Sequence, residues 1–233
     1  MAPTGRGRGL ENAAAAVPNM TRGMGTRVGC ALLALLGVLL AAAGSASASD
    51  ADVLVVGDSL AVGTMPYLAP MLGGRNIVSA AKNGITTPQG MSLVRRELRA
   101  VTPKTVVISL GTNDGSDPKR FADRVRRTMN LLPADACVVW STIIRPARKG
   151  DYRGLNRVLH AAKRRDPRIV VVDWEHAVAG GAVYLPDGLH ADEAGYRHRS
   201  AMIADAIELA CSDESDSPGV TASRTPRSTP RRA

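Results

Sequence analysis

The stretch VLVVGDSLAVG, from Val53 to Gly63, predicts a buried β-strand with a serine just beyond its end. Its aliphatic run is continuous, which is typical of a strand covered on both faces in a parallel sheet. The run stops at Gly57, and an acid and Ser59 follow at once. Ser59 has two interpretations here: an N-cap that begins the next helix, or a nucleophile beside the amides of that helix. The stretch by itself leaves both open.

Four further apolar runs resemble the first, and together they predict a five-stranded parallel sheet. Stretches with apolar residues at helical spacing lie between several of them. Strands that alternate with helices predict a doubly wound α/β fold, a sandwich with a layer of helices on each face of the sheet. Ligands of such folds bind at the carboxyl ends of the strands. The runs are 52–57, 76–81, 105–110, 137–142 and 168–174, and the helical stretches are 117–132, 152–166 and 192–211.

The chain is predicted to have three regions. Residues 1–48 combine arginines, an uncharged apolar core and an Ala/Ser-rich exit, which is the pattern of a secretory signal peptide. An uncleaved N-terminal membrane anchor is the alternative interpretation of this segment. Residues 49–211 have the size of one domain, and residues 212–233 hold too few apolar residues to order themselves. The protein is therefore expected to be secreted or associated with the cell envelope.

The charge of the chain limits its candidate partners. The formal net charge is +9 at pH 7, which favours anionic surroundings and makes an anionic cell-wall polymer a candidate partner. Nucleic acid is not expected, because aromatic residues make up 3% of the chain and no nucleic-acid-binding motif is present. Contact with a membrane is expected only if the N-terminal segment is not cleaved.

Two cysteines lie in the predicted domain, and they predict a disulfide between Cys137 and Cys211. Cys137 opens the fourth apolar run, at the amino edge of the sheet. The last helix begins near the carboxyl edge and must run back antiparallel to the strands, so it returns Cys211 to that amino edge. An exported domain lies in an oxidising compartment, where such a bond persists. The cysteine and histidine spacings match no metal site, and no metal is expected.

Asp187 and His190 are the residues best placed to activate Ser59. A nucleophilic serine needs a base, and the base needs an acid to orient it. The stretch LPDGLHADEAGY, residues 185–196, supplies both on one loop between the fifth run and the last helix. The remaining histidines have the simpler interpretation of surface or helix-packing side chains.

Two further segments follow strands and contain groups that can stabilise a negatively charged oxygen. Asn113, in SLGTNDG at 109–115, has an amide that can donate a hydrogen bond, although Asn-Asp-Gly also forms ordinary turns. Gly84, in AKNGITT at 81–87, can offer an unobstructed backbone N–H to the same oxygen.

These four segments together resemble the blocks of the SGNH (GDSL) hydrolase superfamily. GDSL at 57–60, Gly84, GTND at 111–114 and DGLH at 187–190 occur in the order of that superfamily. The resemblance implies a flavodoxin-like three-layer sandwich and ester chemistry without a metal or organic cofactor. It implies Ser59 as nucleophile, His190 as base and Asp187 as its orienter. It also implies an oxyanion hole made by the Ser59 amide, the Gly84 amide and the Asn113 side chain.

The resemblance leaves three functions open. The first is an exported esterase acting on acylated saccharides or small esters. The second is an O-acyltransferase for cell-envelope glycans, because RIVVVDWEHA and KNGITT look similar to envelope-glycan domains, although GTND is closer to the esterase form. The third is an inactive basic wall-binding module, which the intact motif residues argue against.

Three side chains near the expected site are candidates for substrate binding. Arg145 lies in the basic loop 143–153, which also holds Arg148, Lys149 and Arg153, and it is a candidate for holding an anionic substrate. A solvated charged loop is the simpler interpretation. Trp140 and Trp174, near the ends of two strands, are candidates for flanking the acyl or sugar group, with core packing as the alternative.

Overall fold

Five parallel strands form one central sheet in the computed structural model, which describes residues 49–211. Their order across the sheet is β2-β1-β3-β4-β5, and every neighbouring pair is parallel. The five-stranded parallel sheet predicted from the apolar runs is therefore confirmed. The strands are β1 (Ser49–Gly57), β2 (Ile77–Ala81), β3 (Val101–Ser109), β4 (Cys137–Ser141) and β5 (Ile169–Val172).

Six α-helices and one short 3₁₀ helix accompany the described strands. Helices α2, α3 and α4 pack on one face of the sheet, and α1 and α6 pack on the other. This is the predicted three-layer α/β sandwich. The helices are α1 (Ser59–Met71), α2 (Thr87–Glu97), α3 (Pro118–Met129), α4 (Arg153–Lys163), α5 (Trp174–Ala179) and α6 (Glu193–Ala210), and the 3₁₀ helix is Ala147–Lys149.

The continuous aliphatic run of β1 is explained by the two helical layers. Leu54 and Val56 belong to the core beneath α2, α3 and α4, whereas Val53 and Val55 belong to the core beneath α1 and α6. All four side chains are at most 1% exposed. Because successive residues of a strand face opposite sides, a strand covered twice has no polar positions.

Two helices were not predicted from the sequence. Helix α2 begins with a capping box, in which the side chain of Gln89 accepts a hydrogen bond from the backbone N–H of Thr86 at 2.8 Å. The sequence TTPQ carries this signature. The strand predicted at 168–174 is shorter in the structure, where β5 ends at Val172. Asp173 is instead the N-cap of α5 and accepts a hydrogen bond from the N–H of His176 at 3.1 Å.

The predicted signal peptide at 1–48 and the predicted disordered tail at 212–233 lie outside the described residues. Within residues 49–211, no helix combines the length and hydropathy needed to span a bilayer. The same part of the chain contains no group of three or more metal-ligating side chains.

A disulfide joins Cys137 to Cys211, as the direction of the last helix predicts. Their Cα atoms are 5.5 Å apart, within the usual range for a disulfide. Cys137 is the first residue of β4, and Cys211 caps the end of α6. The bond therefore fastens the last helix to the amino edge of the sheet, at the far end from Ser59.

Replacing both cysteines by serine should lower the free energy of unfolding by about 4 kcal/mol, because the bond closes a loop of 74 residues in the unfolded chain. Urea denaturation of the double variant and the oxidised wild type measures this. Turnover of a small ester should stay within about twofold, since the bond lies far from the catalytic edge. An unchanged denaturation midpoint would contradict the stabilising role.

Candidate active site

The residues predicted to form a site come together at the carboxyl edge of the sheet. Ser59 begins α1 directly after β1, and Asn113 lies in the turn that follows β3. The loop after β4 contributes the 3₁₀ helix Ala147–Lys149, and the loop before α6 contributes Asp187 and His190. This edge is the usual ligand site of a doubly wound sheet.

Ser59, His190 and Asp187 form a continuous hydrogen-bonded chain. The distance between Ser59 Oγ and His190 Nε2 is 2.9 Å, and the distance between His190 Nδ1 and Asp187 Oδ2 is 2.8 Å. With the Nδ1 proton held by the carboxylate, Nε2 is left free to accept the serine proton. The arrangement can therefore activate a hydroxyl group as a nucleophile.

The loop itself fixes Asp187 as the negatively charged end of this chain. Its Oδ1 accepts hydrogen bonds from the backbone N–H groups of His190 at 2.7 Å and Leu189 at 2.9 Å. The backbone bond from His190, then the imidazole bond and the bond from Leu189, hold the pKa of Asp187 well below its usual value. Asp187 is thus ionised even in moderately acidic solution.

Gly57 allows three backbone segments to meet directly beside Ser59. A Cβ atom at this position would lie 2.8 Å from the carbonyl oxygen of Ser109 and would also overlap Ala61 in the first turn of α1. The backbone N–H of Asp58 donates to Ser109 O at 3.0 Å, and that of Lys82 donates to Gly57 O at 3.0 Å. The ends of β1 and β3 and the segment after β2 are thereby held together.

Two of the three candidate oxyanion donors lie on the segments that meet here, after β2 and after β3. Gly84 has a φ angle of +73°, which favours glycine, and its N–H has no acceptor among the described residues. Asn113 Nδ2 donates to the carbonyl oxygen of Ile85 at 3.1 Å and to Asp58 Oδ2 at 3.3 Å. Donation from Asn113 to a substrate oxygen therefore requires the longer bond to Asp58 to be shared or released.

Asp58 is a buried acid directly before the candidate nucleophile. Its Oδ1 accepts from the N–H of Leu60 at 3.0 Å, which caps α1. Burial is the largest influence on this carboxyl and raises its pKa to about 6, against the opposing effects of the Leu60 amide, the Arg199 charge and the Thr112 hydroxyl. Asp58 therefore titrates only a little below neutral pH.

Arg199 is the positive charge that faces this buried acid from α6. Its side chain is fully buried, donates to Ser109 Oγ at 3.0 Å and stacks 4.7 Å above the centre of the Trp174 ring. Burial lowers the pKa of Arg199 to about 10, and the charge of Asp58 opposes that shift. Arg199 remains charged at neutral pH and makes no direct ion pair with Asp58, so the two buried charges interact through space above the pKa of Asp58.

The 3₁₀ helix brings two cations to the edge of the site. Lys149 Nζ donates to Asn113 Oδ1 at 3.1 Å, which fixes the amide so that its nitrogen faces Asp58 and Ile85. Arg148 reaches the carbonyl oxygen of Asp187 at 3.5 Å. Part of the basic loop is therefore in contact with the candidate active site.

The predicted substrate contact of Arg145, Trp140 and Trp174 is corrected by the structure, which buries all three. Arg145 is 4% exposed, and its guanidinium donates to backbone carbonyls, including those of Thr112 at 2.9 Å and Asp114 at 2.6 Å. It holds the turn that carries Asn113. The tryptophans are fully buried in the cores. A buried arginine can be satisfied by carbonyl oxygens, which a count of loop charges does not reveal.

Sequence reasoning missed the buried charges of Asp58 and Arg199, although a pattern for Arg199 was present. Arg199 precedes Ile203 and Ile207 by four and eight residues, so it lies on the buried stripe of α6. An arginine on an apolar stripe indicates a buried partner. Asp58 has no comparable pattern beyond its place in the motif around Ser59.

A serine, an imidazole and a carboxylate joined at the carboxyl edge of a parallel sheet are features of serine hydrolases with an α/β fold. The chain belongs to the GDSL-like lipase/acylhydrolase family, whose model matches residues 55–198. Members of this family are ester hydrolases or acyltransferases. No curated protein matches the sequence.

Solved structures with the same fold include the C-terminal catalytic domain of peptidoglycan O-acetyltransferase A from Streptococcus pneumoniae. It is 23% identical, the match covers 69% of this chain and 94% of that domain, and the TM-score is 0.58. TesA is 22% identical, with 69% and 99% covered and a TM-score of 0.58. A lipase/acylhydrolase from Enterococcus faecalis is 21% identical, with 68% and 96% covered and a TM-score of 0.58.

Replacing Asp58 by Asn should change how stability depends on pH. Folding raises the pKa of Asp58 from 3.8 to about 6, so the folded protein binds this proton more tightly than the unfolded chain. The wild type should therefore gain about 2 kcal/mol of stability relative to Asp58→Asn between pH 7 and pH 4.5. Urea denaturation across this range measures the difference, with Asp205→Asn as a control for losing one carboxylate. A difference that is constant with pH would contradict the buried titration.

Proposed function

We propose that the protein is a serine esterase that hydrolyses O-acyl esters through an acyl-serine intermediate. The observation that carries this proposal is the 2.9 Å hydrogen bond between Ser59 Oγ and His190 Nε2, extended by the 2.8 Å bond to Asp187. These three side chains supply a nucleophile, a base and an orienting carboxylate, joined by the hydrogen bonds that acyl transfer needs. Their arrangement also argues against an inactive wall-binding module.

In the proposed reaction, His190 Nε2 takes the Ser59 proton while Oγ attacks the carbonyl carbon of the ester. The carbonyl oxygen becomes negatively charged and receives hydrogen bonds from the Ser59 and Gly84 amides and from Asn113 Nδ2. The C–O bond to the alcohol then breaks, and the alcohol leaves with the proton from His190. Water attacks the acyl-serine with His190 again as base, and the acid product and free Ser59 are released.

The openness of the site supports hydrolysis rather than acyl transfer. The side chains of His190 and Asp187 are 41% and 49% exposed, so water has access to the imidazole. A transferase must keep water from the acyl-enzyme until the acceptor arrives. The same openness suits a short acyl group on a large alcohol such as a saccharide, because a long acyl chain needs an enclosed apolar surface.

We further propose that the enzyme acts outside the cytoplasm. The predicted signal peptide supports this location, and so does the Cys137–Cys211 bond, since such bonds are rare in reducing compartments. The N-terminal sequence of the mature protein tests it: a chain that begins near residue 49 agrees with export and cleavage, and a chain that retains its apolar segment contradicts cleavage.

Replacing Ser59 by Ala should remove nearly all turnover of 4-nitrophenyl acetate, because no other group is proposed to form the acyl-enzyme. Stopped assays on the purified variant measure the loss, and circular dichroism checks that the fold is retained. Ser79→Ala, which removes an exposed hydroxyl on β2, is the matched control and should keep wild-type turnover. If Ser59→Ala retains more than about a tenth of the wild-type rate, the assignment of the nucleophile is wrong.

Replacing Asn113 by Ala should lower kcat by about 10²–10³ with little change in KM, because its donor acts on charge that appears only in the transition state. Steady-state kinetics with the same ester measures both constants. Asn130→Ala, an exposed residue that ends α3, controls for loss of an amide elsewhere. An unchanged kcat would leave Asn113 as a turn residue only.

A further inference from the structure

The two helical layers of the domain carry very different charges. Helices α2, α3 and α4 together contain ten Lys or Arg residues and two Asp or Glu residues, a net charge of +8. Helices α1 and α6 on the opposite face contain two Lys or Arg residues and three acids, a net charge of −1. Among these helices of the described domain, the positive charge is therefore concentrated on one broad face.

A cleft between α2 and α3, which we call the basic groove, concentrates this charge further. Its volume is about 570 Å³. Four of its five cations are arginines, whose planar guanidinium groups pair with carboxylates and with phosphates through two parallel hydrogen bonds. The charged residues that line it are Arg95, Lys119, Arg120, Asp123, Arg124 and Arg127.

Several of these cations are available to a partner. Arg95 and Lys119 are exposed and make no ion pair with any described residue. Arg120 has a 3.4 Å ion pair with the exposed Asp117, and such surface pairs contribute little in water. A polymer with closely spaced negative charges can replace these weak contacts.

The basic groove is structurally connected to the candidate active site. Arg124 in its wall forms a 2.9 Å ion pair with the buried Asp114, the neighbour of Asn113 in the turn after β3. The other oxygen of Asp114 accepts from the N–H of Thr87 at 2.8 Å, where α2 begins. Pro88, the next residue, lines the groove. The end of the groove at Pro88 is therefore linked to the turn that carries Asn113.

We propose that the basic groove binds a carboxylate-bearing glycan and so presents an O-acyl group of the same polymer to Ser59. The inference rests on the proposed esterase function and names the substrate class. A concave cleft fits a chain rather than the flat surface of a membrane. None of the residues lining the groove is aromatic, so it lacks the stacking surfaces with which proteins bind single-stranded nucleic acid.

A binding experiment tests the groove without relying on catalysis. The full chain with Ser59→Ala is titrated with unacetylated polygalacturonate at 50 mM salt, alone and with the groove variant R95Q/K119Q/R120Q. The groove variant should bind about tenfold more weakly, since three exposed charge contacts are lost. The variant R99Q/K104Q/R164Q removes three exposed cations outside the groove and should bind within about twofold of the parent. Equal weakening by both variants would overturn the proposal.

A kinetic experiment then links binding to the ester reaction. The measured quantity is the ratio of kcat/KM on acetylated polygalacturonate to kcat/KM on 4-nitrophenyl acetate. In R95Q/K119Q/R120Q this ratio should fall about tenfold, mainly because KM for the polymer rises. In the control variant the ratio should not fall. An unchanged ratio would overturn the proposal. If Ser59→Ala proves active, the proposed nucleophile fails but the binding result still stands on its own. Tighter binding of duplex DNA than of polygalacturonate through the same three residues would overturn the choice of a glycan.

Discussion

The close approach of three backbone segments at Gly57 is the constraint on which the candidate site depends. The end of β1 receives a hydrogen bond from the segment after β2 and, through Asp58, donates one to the end of β3. This point lies where the strand order changes direction, because β2 and β3 stand on opposite sides of β1. The connections that follow β1 and β3 leave toward opposite faces of the sheet, and a crevice forms between them. In a doubly wound sheet, one ligand can contact the ends of several strands in this crevice. Ser59, Gly84 and Asn113 come from three different connections for this reason.

The same constraint buries charge beneath the candidate nucleophile. Asp58 cannot reach bulk water once β1 and β3 are joined, and its carboxylate caps α1 and contacts the Asn113 amide instead. Arg199 supplies the compensating charge from α6, the helix that follows His190. Burying a charge is costly unless an opposite charge or hydrogen bonds compensate for it. Arg199 also donates to Ser109 Oγ at the end of β3, so this side chain connects the last helix to the strand end that meets the serine turn.

The sequence predicted the sheet and the serine–histidine–aspartate grouping well, because both depend on local patterns. Continuous aliphatic runs identify strands covered on both faces, and Asp187 and His190 lie on one short loop. The burial of Arg145 was not predictable in this way, because its guanidinium donates to carbonyl groups of a turn about 30 residues earlier in the chain. Arg199 and Asp58 are separated by 141 positions, and only the packing of α6 brings them near each other. Charge–charge contacts at such separations follow from the assembled fold rather than from local spacing.

Helices α1 and α6 share one face of the sheet, and this has a consequence for how the chain reaches its folded state. Val53, Val55, Val107 and Val139 lie under both helices, in one core with Leu68 of α1 and Ile203 and Ile207 of α6. As the chain emerges from the ribosome, this apolar surface stays half uncovered until the final helix has been made. A domain closed by its last segment spends its synthesis with an aggregation-prone face open to solvent. Its apolar core is therefore complete only when the two ends of the domain meet.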